Sequence, residues 1–146
     1  MAQIYLAGPF FSDEQVARIE KIEAALTQNP TVQDFFSPRK NQETEHEQFT
    51  KPWATAIYHT DVSNIDAAEA VVAILDFEGE HVDSGTAFEI GYAVQKGTPV
   101  VVFHEKTGTV NLMIGESLHA YLKTPEEVSQ YDFQAMPTNE YNGKFI

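Results

Sequence analysis

The sequence contains no cysteine among its 146 residues. This absence excludes disulfide frameworks, zinc–thiolate sites and cysteine nucleophiles, and it favours a cytoplasmic protein. Long apolar runs are also missing, because no stretch approaches the ~20 residues of a membrane span. The first ten residues, MAQIYLAGPF, lack the basic and apolar segments of a secretion signal. We therefore expect neither a targeting segment nor a membrane partner.

Basic residues are scarce, with 9 Lys and Arg against 22 Asp and Glu, for a formal net charge of −13. Such a chain repels the phosphate backbone of nucleic acids, so a polymeric nucleic acid is not an expected partner. The sequence has neither a G-x-G-x-x-G fingerprint nor a Walker lysine, which argues against dinucleotide and ATP sites. Its five histidines lack the paired spacing of a metal site. We therefore expect no metal and no cofactor.

Four short runs rich in β-branched and aromatic residues predict buried strands, and segments of helical length lie between them. The runs are residues 4–7, 32–36, 71–75 and 99–103. The helices begin near Ser12, Thr50 and Ser84, each beside a side chain suited to an N-cap. A fifth, weaker strand is expected at 119–122. This alternation predicts a doubly wound α/β fold, in which helices cover both faces of a mostly parallel five-stranded sheet, within a single domain of residues 1–146.

Ligands of open parallel sheets bind at the carboxyl ends of the strands, which directs attention to four loops. The loop after the first strand holds Gly8 and Phe10, which are therefore candidate binding residues. The long polar segment 37–51 follows the second strand and is either a functional lid or a solvated connection. The other two loops are 76–83 and the residues after 103.

The stretch DSGTAFEIGYAVQKG, residues 83–97, predicts a helix with a single carboxylate, Glu89, among glycine, alanine and aromatic residues. With Asp83 or Ser84 as the N-cap, the helix dipole favours the ionised form of Glu89. Projection at 100° per residue gives a core face of Ala87, Ile90, Gly91 and Val94 and an opposite face of Gly85, Glu89, Tyr92 and Ala93. Glu89 is either an ordinary solvated carboxylate or a functional one. The second alternative arises because its small and aromatic neighbours suit close contact with a ligand or another subunit.

Two aspartates and a tyrosine are further candidates, and each has a structural alternative. Asp61 lies late in the second helix and is either solvated or turned toward the strand ends. An N-cap role alone explains Asp83, and core packing alone explains Tyr5. Several carboxylates without nearby lysine or arginine to bind a phosphate favour glycosyl chemistry. In this chemistry one carboxylate attacks or stabilises the anomeric carbon and an acid protonates the leaving group.

Four segments, in this order along the chain, resemble nucleoside 2-deoxyribosyltransferases. They are IYLAGPFF from residue 4, WATAIYHTDVSNID from 53, DSGTAFEIGYAVQKGTPVV from 83 and NLMIGES from 111. The resemblance implies a flavodoxin-like α/β fold and nucleoside salvage. It implies an enzyme that needs no metal or cofactor and exchanges the base of a 2′-deoxyribonucleoside for another purine or pyrimidine.

The resemblance also assigns roles to individual residues. Glu89 matches the nucleophile that forms a covalent deoxyribosyl-enzyme with net retention, and Asp61 matches the acid that protonates the departing base. Asp83 matches an aspartate that holds the sugar hydroxyls, and Tyr5 matches a tyrosine that orients the nucleophile. Gln42, in the long loop, falls where the family has a glutamine in contact with the base.

Asn111 and Met113 match a segment that reaches into a neighbouring subunit's site, which implies a homo-oligomer, commonly a hexamer built as a trimer of dimers. The chain departs from the family at its last residue. Some relatives end in a tyrosine that enters the adjacent site, whereas this chain ends in Ile146, with Tyr141 shortly before it.

Two other functions compete with base exchange. One is hydrolysis of 2′-deoxynucleoside 5′-monophosphates, but Asp83 would repel a 5′-phosphate and the loop after the first strand offers no arginine. The other is a non-catalytic, flavodoxin-like ligand-binding or signalling module with Asp76 as a phosphorylation site. Gly8, Pro9 and Phe10 leave the first strand without the acids that such a receiver needs.

Overall fold

The computed structural model describes residues 1–146 and contains one five-stranded sheet, all parallel, in the order β2-β1-β3-β4-β5. The strands are β1 (Ala2–Ala7), β2 (Val32–Phe36), β3 (Ala70–Ile74), β4 (Val100–Phe103) and β5 (Ala120–Leu122). The helices are α1 (Asp13–Gln28), α2 (Lys51–Ala67), α3 (Ser84–Gln95), α4 (Leu112–Ser117) and α5 (Pro125–Gln130). The predicted α/β fold is confirmed, and the sheet is entirely rather than mostly parallel.

Helices cover both faces of the sheet because successive strand residues point to opposite sides. In β1, Ile4 and Leu6 pack with α1 and α5, whereas Tyr5 and Ala7 pack with α2, α3 and α4. Strand β1 pairs with β2 along one edge and with β3 along the other, so the strand order reverses beside it. This reversal is the switch point at which such sheets bind ligands.

Side-chain caps fix where the three long helices begin, as the sequence predicts. The Ser12 hydroxyl accepts from the backbone amide of Gln15, and the Thr50 hydroxyl accepts from that of Trp53. None of the helices combines the length and the apolar character that crossing a bilayer requires. The short helices α4 and α5 were not expected from the sequence, since six residues are too few to display a helical period.

The predicted core face of α3 is wrong in part, since Ile90 is buried as predicted but the other members of the buried stripe differ. Thr86, Ile90 and Ala93 are the buried positions, whereas Gly91 and Val94 are exposed. Small side chains such as Ala93 let the helix approach the sheet closely, and a hydrophobicity projection gives them little weight. Glu89 is therefore on the face that packs on the sheet, not opposite to it.

Candidate active site

A cavity of about 570 Å³ opens where the chain passes from β1 into its loop, between α2, α3 and the long loop before α2. This volume suits a small molecule, since such sites usually enclose ~300–1,000 Å³. Its lining includes the predicted residues Gly8, Phe10, Gln42, Asp61, Asp83 and Glu89. Five other predicted site residues therefore line the same cavity as Glu89.

Glu89 reaches the cavity floor because it lies on the buried side of α3, one turn after Thr86. The hydroxyl of Tyr5 donates a hydrogen bond to Glu89 Oε2 across 84 residues of sequence. Tyr5 is fully buried in β1, where its ring stacks on Phe36 with centroids 5.7 Å apart. A rigid core residue therefore holds the carboxylate in one orientation.

The pKa of Glu89 is raised to about 7, mainly by burial. The Tyr5 hydrogen bond lowers this pKa, and the nearby carboxylates of Asp61 and Asp83 contribute to raising it. The expectation that the helix N-terminus favours ionisation is therefore outweighed by desolvation. Burial also raises the pKa of Tyr5, so this phenol remains a hydrogen-bond donor.

Asp61 is the second carboxyl group at the cavity, and it is partly buried rather than solvated. Burial raises its pKa to about 6. Its helix, α2, places Trp53, Ile57 and Asp61 at intervals of four residues along the same wall. The cavity thus holds two carboxyl groups whose pKa values both lie near neutrality, where either group can gain or lose a proton.

Asp83 caps α3, because its Oδ2 accepts from the amide and the hydroxyl of Thr86 at 3.0 Å each. Gly8 lies so close to Ile74 that an added Cβ would be 3.1 Å from the Ile74 Cβ, and a side chain there would require Ile74 to shift. Gln42 is exposed and donates its amide to the backbone oxygen of Arg39 at 3.0 Å.

Asn111 and Met113 do not reach this cavity. Asn111 caps α4 and Met113 is 72% exposed, and both line a second groove together with Ile146. The last residues are fixed there, since the backbone of Ile146 exchanges hydrogen bonds with Val110 and Leu112 at 3.0 and 2.9 Å. Within one chain, these positions are therefore separate from Glu89.

The sequence did not single out the aromatic residues that form much of the cavity wall. They are Phe11, Phe49, Trp53, Tyr58 and Phe88. The available signal was the spacing of Phe49, Trp53, Ile57 and Asp61, which runs in steps of four residues into the acidic position. Such spacing is indistinguishable from a core stripe without the fold.

No lysine or arginine lines the cavity, whose charged groups are three carboxylates. Nowhere in the structure do three His, Cys, Asp or Glu side chains form a group that could hold a metal ion. Asp76 is buried, and its two oxygens accept from the amides of Glu105 and Lys106 at 2.8 Å each. These bonds occupy the aspartate that a receiver domain would need free for phosphorylation.

Comparison with known proteins shows the family of this chain. The family model for nucleoside 2-deoxyribosyltransferase matches residues 4–135. The chain belongs to this family. A nucleoside deoxyribosyltransferase of Limosilactobacillus fermentum is 30% identical over 90% of this chain and 84% of its own length. That of Lactobacillus leichmannii is also 30% identical, over 68% of each chain.

The solved structure of a 2-deoxyribosyltransferase from Bacillus psychrosaccharolyticus superposes with a TM-score of 0.87 and 37% identity. The match covers 96% of this chain and 99% of that one. The fold and the family predicted from the sequence are thereby confirmed. This member of the nucleoside 2-deoxyribosyltransferase family is a transferase of nucleoside metabolism.

Proposed function

We propose that this protein transfers the 2-deoxyribosyl group of a 2′-deoxyribonucleoside to another free purine or pyrimidine base through a covalent intermediate on Glu89. The observation that carries the proposal is the partly buried Glu89, held by the Tyr5 hydroxyl at the floor of a cavity that also contains Asp61. We treat residues 1–146 as one transferase domain.

In the first half-reaction, a carboxylate oxygen of Glu89 attacks C1′ of the sugar. The C1′–N bond breaks, its electron pair leaves with the base nitrogen, and Asp61 supplies the proton that neutralises the departing base. A pKa raised to about 6 supports this role, because between pH 6 and 7 some molecules keep the proton on Asp61 while Glu89 is ionised. The products are a deoxyribosyl ester of Glu89 and a free base.

In the second half-reaction, a ring nitrogen of the incoming base attacks C1′ from the side that the first base left. The ester C–O bond breaks and returns its electron pair to Glu89, while the proton of the attacking nitrogen passes to Asp61. Each attack inverts C1′, so two inversions give net retention, as in retaining glycosidases. The Tyr5 hydrogen bond supports the ionised form of Glu89 at both stages.

The other cavity residues bind substrate in this proposal. The cap of α3 uses Asp83 Oδ2, which leaves Oδ1 for a sugar hydroxyl. Gln42 contacts the base from the long loop, and Gly8 and Phe10 shape the wall beside β1. None of these contacts requires a metal ion or a cofactor.

We propose that the working form is a hexamer assembled from dimers, in which Asn111 and Met113 of one subunit complete the cavity of the next. Both residues are exposed and point into a groove rather than into the core of their own chain. Light scattering of the native protein, and mixing of Met113→Ala with Glu89→Ala subunits to test for restored activity, would measure this arrangement.

The absence of lysine and arginine from the cavity wall favours an unphosphorylated nucleoside over a 5′-monophosphate, because three carboxylates would repel a phosphate. Slow hydrolysis without an acceptor base is expected, since water can attack the same ester. The fixed hydrogen bonds of Asp76 argue against a signalling module.

The deciding experiment incubates the protein with deoxyinosine and cytosine, and separately with thymidine and adenine, without phosphate. Chromatography should reveal deoxycytidine and deoxyadenosine, and the Glu89→Ala variant should form neither while its circular dichroism spectrum is unchanged. Mass spectrometry of protein treated with deoxyinosine alone should find a deoxyribosyl group on the peptide that contains Glu89. Product formation only in the presence of phosphate would instead identify a phosphorylase.

A further inference from the structure

Phe49 combines two unfavourable properties at the mouth of the cavity. Its side chain is 82% exposed, the most exposed large hydrophobic side chain of the chain. Its backbone has φ = 70°, in the left-handed region that aromatic residues rarely adopt. Strain of this kind is found where the surroundings require a particular geometry, often in ligand clamps. An exposed ring held in a strained backbone indicates that something other than the free chain covers it.

The ring of Phe49 lies against the only tryptophan, Trp53, with centroids 5.4 Å apart and planes inclined by 67°. Both residues line the cavity. Because the contact is edge to face, Trp53 covers little of the Phe49 ring and the rest stays open to the cavity. The pair forms an aromatic corner at one end of the α2 wall, and we call it the Phe49–Trp53 corner.

The position of this corner relative to Asp61 defines what can reach it. Trp53 precedes Asp61 by eight residues in α2, which is about 12 Å along the helix, with Ile57 halfway between them. Under the proposed function, on which this inference rests, the sugar C1′ is bound near Glu89 and Asp61. The base therefore extends from Asp61 toward Ile57 and the corner.

Purines and pyrimidines differ in how far they extend along this wall. A pyrimidine is joined to the sugar through its single six-membered ring and extends less far along the wall. A purine is joined through its five-membered ring, so that its six-membered ring lies one ring further from the sugar. We infer that the Phe49–Trp53 corner contacts the six-membered ring of purine substrates and makes Phe49 a specificity-determining residue that favours purines over pyrimidines.

Two substitutions at Phe49 test this inference without disturbing the core, since the side chain is exposed. Phe49→Asn removes the ring but keeps a residue that tolerates the left-handed backbone. Phe49→Tyr keeps the ring and is the matched control. The measured quantity is kcat/KM for transfer to adenine and to cytosine from the same donor, thymidine.

For Phe49→Asn we expect kcat/KM with adenine to fall about tenfold, the scale of one contact between a base and an aromatic ring. The value with cytosine should fall by less than about threefold, and Phe49→Tyr should retain the native ratio. Equal losses with both bases, or no loss with either, would overturn the inference. Native turnover in the same assay tests the proposed function separately, so the two failures are distinguishable.

Trp53 supplies a second readout that does not depend on turnover. As the sole tryptophan, it reports binding at the corner through its fluorescence. Titration with adenine should quench the emission, and the apparent Kd should rise in Phe49→Asn, whereas the Kd for cytosine should change less. If Phe49→Asn instead changes only the oligomeric mass measured by light scattering, the ring is covered by a second copy of the chain and the inference fails.

Discussion

Replacing Glu89 by glutamine should remove the nucleophile and at the same time stabilise the fold above neutral pH. The pKa of Glu89 is about 7 in the folded protein, compared with about 4.5 for an ordinary glutamate, and burial is the main cause. A carboxyl group whose pKa is raised by folding favours the folded state only while it is protonated. Its contribution is therefore complete below pH ~4.5 and is lost as the pH rises through about 7.

The size of the effect follows from the difference between the two pKa values. One pKa step corresponds to ~1.4 kcal/mol, so ionised Glu89 destabilises the native protein by about 3 kcal/mol above pH ~7. Glutamine has no charge to desolvate, and its carbonyl oxygen can still accept the hydrogen bond from Tyr5. For a chain of this size, ~3 kcal/mol corresponds to an increase in Tm of roughly 6–12 °C.

The assay is thermal unfolding of native protein and Glu89→Gln at pH 4.5, 6 and 8. The difference in Tm should be near zero at pH 4.5 and should grow with pH. Glu20→Gln is the matched control, because it removes one charge from an exposed position of an acidic chain. A difference that is the same at all three pH values, or a variant less stable at pH 8, would refute the desolvation argument.

Two further predictions concern catalysis. The plot of kcat/KM for a deoxynucleoside against pH should be bell-shaped, with a maximum between pH 6 and 7. Activity needs Glu89 ionised while Asp61 is protonated, and their pKa values are about 7 and about 6. A flat profile from pH 5 to 8 would contradict these roles. Asp83→Ser preserves an N-cap but removes a negative charge. The ratio of kcat/KM for a deoxynucleoside 5′-monophosphate to kcat/KM for the nucleoside should therefore rise about tenfold. An unchanged ratio would show that Asp83 does not discriminate against the phosphate.

The sequence was most informative where local rules dominate. Composition predicts the strand positions, including the all-apolar strands β3 and β4 of a sheet buried on both faces. Capping side chains predict the starts of three helices. The segment around Glu89 is distinctive in the sequence because a carboxylate among small and aromatic residues is unusual. These features require no knowledge of which elements meet in space.

Local rules of this kind do not predict long-range contacts. The hydrogen bond from Tyr5 to Glu89 joins residues 84 positions apart, and neither residue's neighbours in sequence reveal it. The error in the face of α3 has a related cause. Ile90 belongs to both the predicted and the observed buried stripe, and which residues join it depends on how closely Ala93 approaches the sheet. Recognition of the family, rather than periodicity, brought Glu89, Asp61 and Tyr5 together.

The interior position of β1, between β2 and β3, affects how the chain acquires its structure during synthesis. Strand β1 is made first, but its partner β3 begins at Ala70. At a translation rate of ~5–20 residues per second, the edge of β1 that pairs with β3 stays unpaired for roughly 3–14 seconds. Parallel pairing of distant segments is intrinsically slow and leaves apolar strands open to aggregation. The cavity floor can form only after α3 has been made, so competence for catalysis is a late event in folding.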